Sequence, residues 1–436
     1  MPRSAAVLLV LLLAPLAALA AEKPKADAYP LADAVECRAR GGLPNFFAKL
    51  AAGAEVRIAY FGGSITAQPG WRPKTLRWFQ DEYPKAKLSE INAAIGGTGS
   101  DLGAYRLGHD VLRHRPDLVF VEFATNDGGA APEDIHRTME GIVRQTWKAD
   151  PATDICFVYT ITAPFVATLQ QGKFPRAASA MERVADHYAI PTIHLGMEVV
   201  RLAKEGTLLI AAKKPKTDAE REALKGKIIF AEDGVHPLPE TGHQLYLEAI
   251  QRSIPKIKAA AKAAPHTLGE PLVADNWERA KLLPLSAAKH SDHWQKLDPA
   301  ADKMARNWTS RMPEFWKAGA AGATLAFKFK GTSAAIYDLL GPDCGQVRVT
   351  LDDQPPRTVA RFDRYCTYHR LAPLSIGRNL PDAVHTVKLE LLSDPPDKVR
   401  IFIDGKQDAE NPKDNPKYAG INWYAGGILV VGELAE

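Results

Sequence analysis

The chain is poor in the features that mark membrane, metal or nucleic-acid proteins. It has four cysteines in 436 residues, Cys37, Cys156, Cys344 and Cys366. That is too few for a disulfide scaffold, and their spacing resembles no zinc site. Cys156 lies inside an apolar run and is expected as a buried thiol, while Cys344 and Cys366 share the C-terminal region and form the best candidate pair. A net charge of +4 is mild, and the lysines and arginines are scattered, so no nucleic-acid partner is expected. The Lys-rich patch at Lys213, Lys214 and Lys216 is expected as a solvated loop. Past the N-terminus no apolar run reaches the ~20 residues that cross a bilayer.

What is present starts with an address. Arg3 gives a positive start, Ala5 to Leu16 is almost wholly apolar, and Ala18-Leu19-Ala20 forms an A-x-A cleavage site. Residues 1–20 are therefore expected as a signal peptide of an exported protein, with no transmembrane segment in the mature chain. The rest is too long for one small core. Composition divides it into 21–264, a linker at 265–300 rich in turn residues, and 301–436.

In 21–264, strand and helix patterns alternate. Strands are expected at Val56 to Phe61, Leu88 to Ile95, Leu118 to Phe123, Asp154 to Thr160 and Pro191 to Leu195. Helical periods lie between them at Trp71 to Tyr83, Asp101 to Arg115, Pro132 to Ala149 and Ala177 to Tyr188. Such alternation means βαβ units and a parallel sheet covered on both faces. The pattern lapses over the charged Glu198 to Lys227 and closes with a helix from Glu240 to Lys262. From Ala323 short strands dominate, among them Thr324 to Phe329, Gln346 to Leu351, His385 to Leu392 and Lys398 to Ile403, as in a β-sandwich.

The ends of these strands carry the chemistry. Val56–Phe61 stops at Gly62-Gly63, and Ser64 follows as a candidate nucleophile at the sheet edge where ligands bind. A serine hydroxyl needs a base, and His236 in Asp233-x-x-His236-Pro237 can serve if Asp233 holds its other nitrogen. An oxyanion needs prearranged donors. The N–H of Ser64, Gly97 in Ile95-Gly96-Gly97-Thr98-Gly99 and the side chain of Asn126 in Thr125-Asn126-Asp127-Gly128 suffice. Gly97 is preferred over Gly96 and Gly99 because it lies two residues past the strand. His243 is expected as a helix-start residue, Arg106 as a helix-surface arginine and Tyr105 as a packing residue, with Trp71 left open between packing and a sugar site.

The order Gly-Gly-Ser, Gly, Asn-Asp, Asp-x-x-His resembles the SGNH (GDSL-type) hydrolases over roughly Glu55 to Lys262. Where that family usually has Gly-Asp-Ser, this chain has Gly63, a form similar to carbohydrate-active members. The resemblance implies a flavodoxin-like α/β/α sandwich, no metal or other cofactor, and ester hydrolysis. Ser64, Asp233 and His236 would be its triad, and Ser64, Gly97 and Asn126 its oxyanion hole. With export and a β-sandwich partner, the expected function is removal of short acyl groups, acetyl foremost, from a carbohydrate. The alternatives are a lipase or lysophospholipase, an O-acyltransferase with the same triad, or a glycan-binding protein with a vestigial hydrolase domain.

Overall fold

The structure, a computed structural model, describes residues 29–404 and 412–436; the expected signal peptide lies outside the described residues. Contacts divide the chain into Met1–Pro30 and Leu31–Glu436, and the architecture below is that of the second unit.

Its first half is built on six strands: β1 (Cys37–Arg38), β2 (Glu55–Gly62), β3 (Lys87–Asn92), β4 (Leu118–Glu122), β5 (Asp154–Tyr159) and β6 (Thr192–His194). They lie in the order β1-β6-β5-β4-β2-β3, parallel except for β1 at the edge. Without β1 this is the flavodoxin-like order, with β2 at the switch point between β3 and β4. β4 and β5 are buried at every residue because helices cover both faces, which is why they are nearly continuous apolar runs. Helices Pro44–Ala51, Trp71–Glu82 and Gly242–Lys258 pack together as one group, and Ser100–Asp110, Pro132–Ala149 and Arg176–His187 as another. The charged excursion is more regular than expected. Strand Leu208–Ala211 pairs in parallel with Ile228–Ala231, and Thr217 with Glu220 forms a capping box that starts helix Asp218–Ala223.

The second half is a large antiparallel β-sandwich. Strand Thr324–Leu340 pairs with Trp423–Ala435 along most of its length and with Ala383–Leu391 over its first half. Its register shifts between Gly331 and Ser333. There a Cβ on Gly331 would lie 2.1 Å from the Val431 carbonyl, so only glycine lets the two strands cross so closely. The core is dominated by alternating residues such as Leu325, Phe327, Phe329, Val387, Leu389 and Trp423.

Residues 265–300, the expected linker, lie against both halves: His266 stacks on Trp147 with centroids 4.4 Å apart, and Ala280–Pro284 pairs with Trp423–Ala435. Two expectations change. Lys398–Asp404 is a helix, not a strand. Asp397 accepts the N–H of Arg400 at 3.0 Å, a helix-start bond, and Phe402 is buried against Phe362 and Tyr418, so capping and one-sided packing outweigh the β-branched composition. All four cysteines are free thiols, Cys344 and Cys366 included.

Candidate active site

β2 runs into Gly62 and Gly63, and Ser64 opens the one-turn helix Ser64–Ala67. Neither glycine has a positive φ. What they supply is room: a Cβ on Gly62 would lie 2.5 Å from the Glu122 carbonyl oxygen, and one on Gly63 2.0 Å from Asn126 Oδ1. The serine turn is therefore pressed against β4 and the loop that follows it. Gly97 differs, with φ at +74° and nothing within 4 Å of the place a Cβ would take. Here glycine serves backbone conformation. Gly96, the residue not preferred from sequence, is the one whose Cβ position faces Ser64, 3.5 Å from the serine Cβ. Gly96 and Gly97 line one cleft with Ser64 and His236.

Asp233, Ser64 and His236 meet although 172 residues separate the last two. Ser64 Oγ lies 2.9 Å from His236 Nε2, and His236 Nδ1 lies 2.7 Å from Asp233 Oδ2. Asp233 Oδ1 also accepts the backbone N–H groups of Val235 and His236, at 2.9 and 2.8 Å, so the carboxylate braces its own turn. Burial works to raise the Asp233 carboxyl, but the His236 ring and these two N–H groups outweigh it and hold it at about 2. An ionised Asp233 takes the Nδ1–H of His236. The lone pair on Nε2 then faces the serine hydroxyl, which donates to it.

Two buried acids weld the loops around Ser64 together, and neither was expected in a role from the sequence. Glu122, at the end of β4, accepts from Thr66 Oγ1 at 3.0 Å and from Thr160 Oγ1 at 2.8 Å, and the Gly63 N–H also donates to it. Thr160 in turn meets Thr125, beside Asn126, at 2.9 Å. Asp127 accepts the N–H of Ser100 at 3.0 Å, tying the Asn126 loop to the Gly97 loop. Burial raises both carboxyls to about 7 against these donors. The available signal was Glu122 itself, one acid in a strand otherwise apolar on both faces.

Three other residues find places. Arg106 is fully buried rather than on a helix surface. Its guanidinium lies 4.4 Å over the Phe61 ring, pairs with Asp110 at 2.8 Å and donates to the Ala93 carbonyl, so this side chain turns toward β2 and the segment after β3. Trp71 packs in the core against Tyr60 and Phe120. His243 accepts the Trp71 N–H on Nδ1 at 3.1 Å, so its proton sits on Nε2, 3.3 Å from Gln68 Oε1. Burial lowers its pKa to about 4, keeping it neutral as a brace for the loop after Ser64.

The cleft over Ser64 holds about 660 Å³. Its far wall comes from the second half of the chain: Trp308, Arg311, Tyr365, Tyr368 and His369. Tyr365 and Tyr368 are among the few large apolar residues left open to solvent, at 48% and 62%. The two halves are held by Tyr105, which bonds Ser333 at 2.8 Å, and by the Arg378–Asp101 ion pair.

A flavodoxin-like sheet with serine, histidine and aspartate within hydrogen-bond reach at its carboxyl edge is an arrangement able to activate a serine hydroxyl. Residues 60–245, less than half of the chain, match the model of the GDSL-like Lipase/Acylhydrolase family, so this stretch is similar to the ester hydrolases of that family. Two crystal structures of a two-domain esterase (CEX) active on acetylated mannans, one co-crystallized with mannopentaose, share its fold in both halves. They cover 91% of this chain and 97% of their own, with TM-scores of 0.67 and 0.66 at 20% and 19% identity. At that identity the likeness is one of fold. No curated protein matches the chain.

Proposed function

We propose that the protein is an exported carbohydrate esterase that removes short acyl groups, acetyl foremost, with Ser64 as nucleophile. The relay Ser64 Oγ to His236 Nε2 to Asp233, at 2.9 and 2.7 Å, carries this reading. His236 takes the hydroxyl proton as Ser64 attacks the ester carbonyl, and Asp233 stabilises the imidazolium that results. The oxyanion is met by the N–H of Ser64, the N–H of Gly97 and the side chain of Asn126. His236 then gives its proton to the leaving sugar oxygen. Water, activated the same way, releases the acid and restores Ser64.

The character of the cleft supports a sugar over a lipid. Tyr365 and Tyr368 offer exposed ring faces beside Trp308, while Thr367, His369, Arg311 and Arg370 offer polar contacts. Each buried methylene would contribute ~0.8 kcal/mol, so a lipid site would gain kcat/KM steadily with chain length. Chromogenic acetyl, butyryl and octanoyl esters test this directly. Activity should fall from acetyl to butyryl and be negligible on octanoyl; a rising series would mean a lipase. Release of acetate from acetylated glycans tests the carbohydrate itself.

A further inference from the structure

We propose, building on the carbohydrate-ester reading, that the acylated substrate is an anionic glycan whose carboxylate or sulfate groups are recognised by the arginine-studded wall opposite Ser64. Among the described residues, those lining the cleft include two arginines, Arg311 and Arg370, and no aspartate or glutamate. Sites for neutral sugars usually need acceptors for hydroxyl groups, and carboxylates supply them best. This wall offers cationic donors instead.

The charge is only partly cancelled within the protein. Arg370 pairs with Asp363, but the guanidinium of Arg311 makes no ion pair or hydrogen bond among the described residues. It lies 5.7 Å from the Trp308 ring centroid, on the aromatic surface itself. The acids in the adjoining hollow that Arg311 also borders, Glu90 and Asp110, are committed elsewhere: Glu90 to Arg72, and Asp110 to Arg106 and His109. Behind the wall, Arg364 sits 4.7 Å from the centroid of the cleft-lining Tyr365 and donates to its hydroxyl at 2.6 Å, again with no acid partner among the described residues. Asp233, the nearest catalytic acid, has both oxygens engaged by its own turn and by His236. Two guanidiniums without an acid partner among the described residues thus lie against rings that line the cleft, Arg311 by Trp308 and Arg364 by Tyr365. That arrangement fits a sugar chain carrying fixed negative groups, since guanidinium binds carboxylate and sulfate oxygens through paired donors.

The test measures acetate release by the full-length mature enzyme from acetylated glucuronoxylan and acetylated pectin, each before and after chemical reduction of its carboxyl groups. Acetylated neutral xylan, before and after sulfation, forms a second arm. The native acidic polymer should exceed its carboxyl-reduced form by about tenfold in kcat/KM at low ionic strength, and 0.5 M NaCl should shrink the ratio. If sulfate is the recognised group, the gain should appear in the sulfated xylan arm instead. In Arg311→Gln with Arg364→Gln the ratio should collapse toward one, and Arg311→Lys should keep part of it. Because the ratio is taken within each variant, a general loss of activity does not imitate the effect. Equal rates on charged and neutral forms in both arms, with acetate released from each, would overturn this proposal alone. Hydrolysis of a small acetyl ester with no release from any glycan would overturn the carbohydrate reading and this one with it.

Discussion

Replacing Gly63 with alanine should disable the enzyme without unfolding it. The backbone there, φ −92° and ψ −155°, is extended and open to alanine, so the substitution adds no conformational strain. The added methyl, however, would sit 2.0 Å from Asn126 Oδ1 and 2.9 Å from its Cγ. Carbon and oxygen do not approach within about 3 Å without repulsion, so the amide must retreat by about 1 Å. Asn126 is exposed and can swing away at little cost to the fold. A displacement of that size can lower kcat about 10²-fold, and outright loss of one oxyanion donor costs about 10²–10³, or 2.7–4 kcal/mol. The assay is kcat on a small acetyl ester, beside a thermal melt, for Gly63→Ala, Asn126→Ala and the double variant. Asn126→Ala removes the atoms that the methyl would strike. The two losses should therefore not add, and the double variant should match Asn126→Ala within a factor of about three. Wild-type kcat in Gly63→Ala, or an equal further loss in the Asn126→Ala background, would refute the argument.

Other outcomes are expected from the same geometry. Ser64→Ala should lower kcat by about 10⁴ or more with an unchanged melt; purified variant with near-normal turnover would exclude Ser64 as nucleophile. Asp233→Asn should cost about 10³–10⁴ in kcat, because an amide cannot hold the His236 tautomer as the carboxylate does, and steady-state kinetics would show it. The Glu122 carboxyl, raised from 4.5 to about 7 by burial, keeps its proton more readily in the folded chain. The native state then binds more protons between those values, so stability falls as pH rises through that window, by up to about 3 kcal/mol. Glu122→Gln should make the fall shallower, leaving the part that the similarly raised Asp127 contributes, and chemical denaturation of both proteins at pH 5 and pH 8 would reveal it; parallel behaviour would mean that Glu122 does not titrate there.

The amino-acid sequence alone determined the order of strands and helices in the first half, because each βα unit writes its period locally. It also determined the candidate triad. A serine after paired glycines at a strand end and a histidine three residues past an aspartate each sit in a local turn, and the chemistry demands those residue types. The tertiary structure decided what depends on approach between distant segments. The reason for Gly63 is a neighbour 63 positions away, Asn126, so the paired glycines looked like a conformational device when they are a spatial one. Arg106 is a core residue because Phe61 and the Ala93 carbonyl receive its guanidinium, and Lys398–Asp404 is helical because Phe362 and Tyr418 receive Phe402. Glu122 and Asp127 became braces when three loops converged around them. The cleft wall of Trp308, Arg311, Tyr365 and Tyr368 comes from a module whose own sequence pattern speaks only of strands. Local patterns follow from backbone periodicity within a segment, whereas burial, close contact and charge pairing are properties of which segments meet, and a single sequence does not display that.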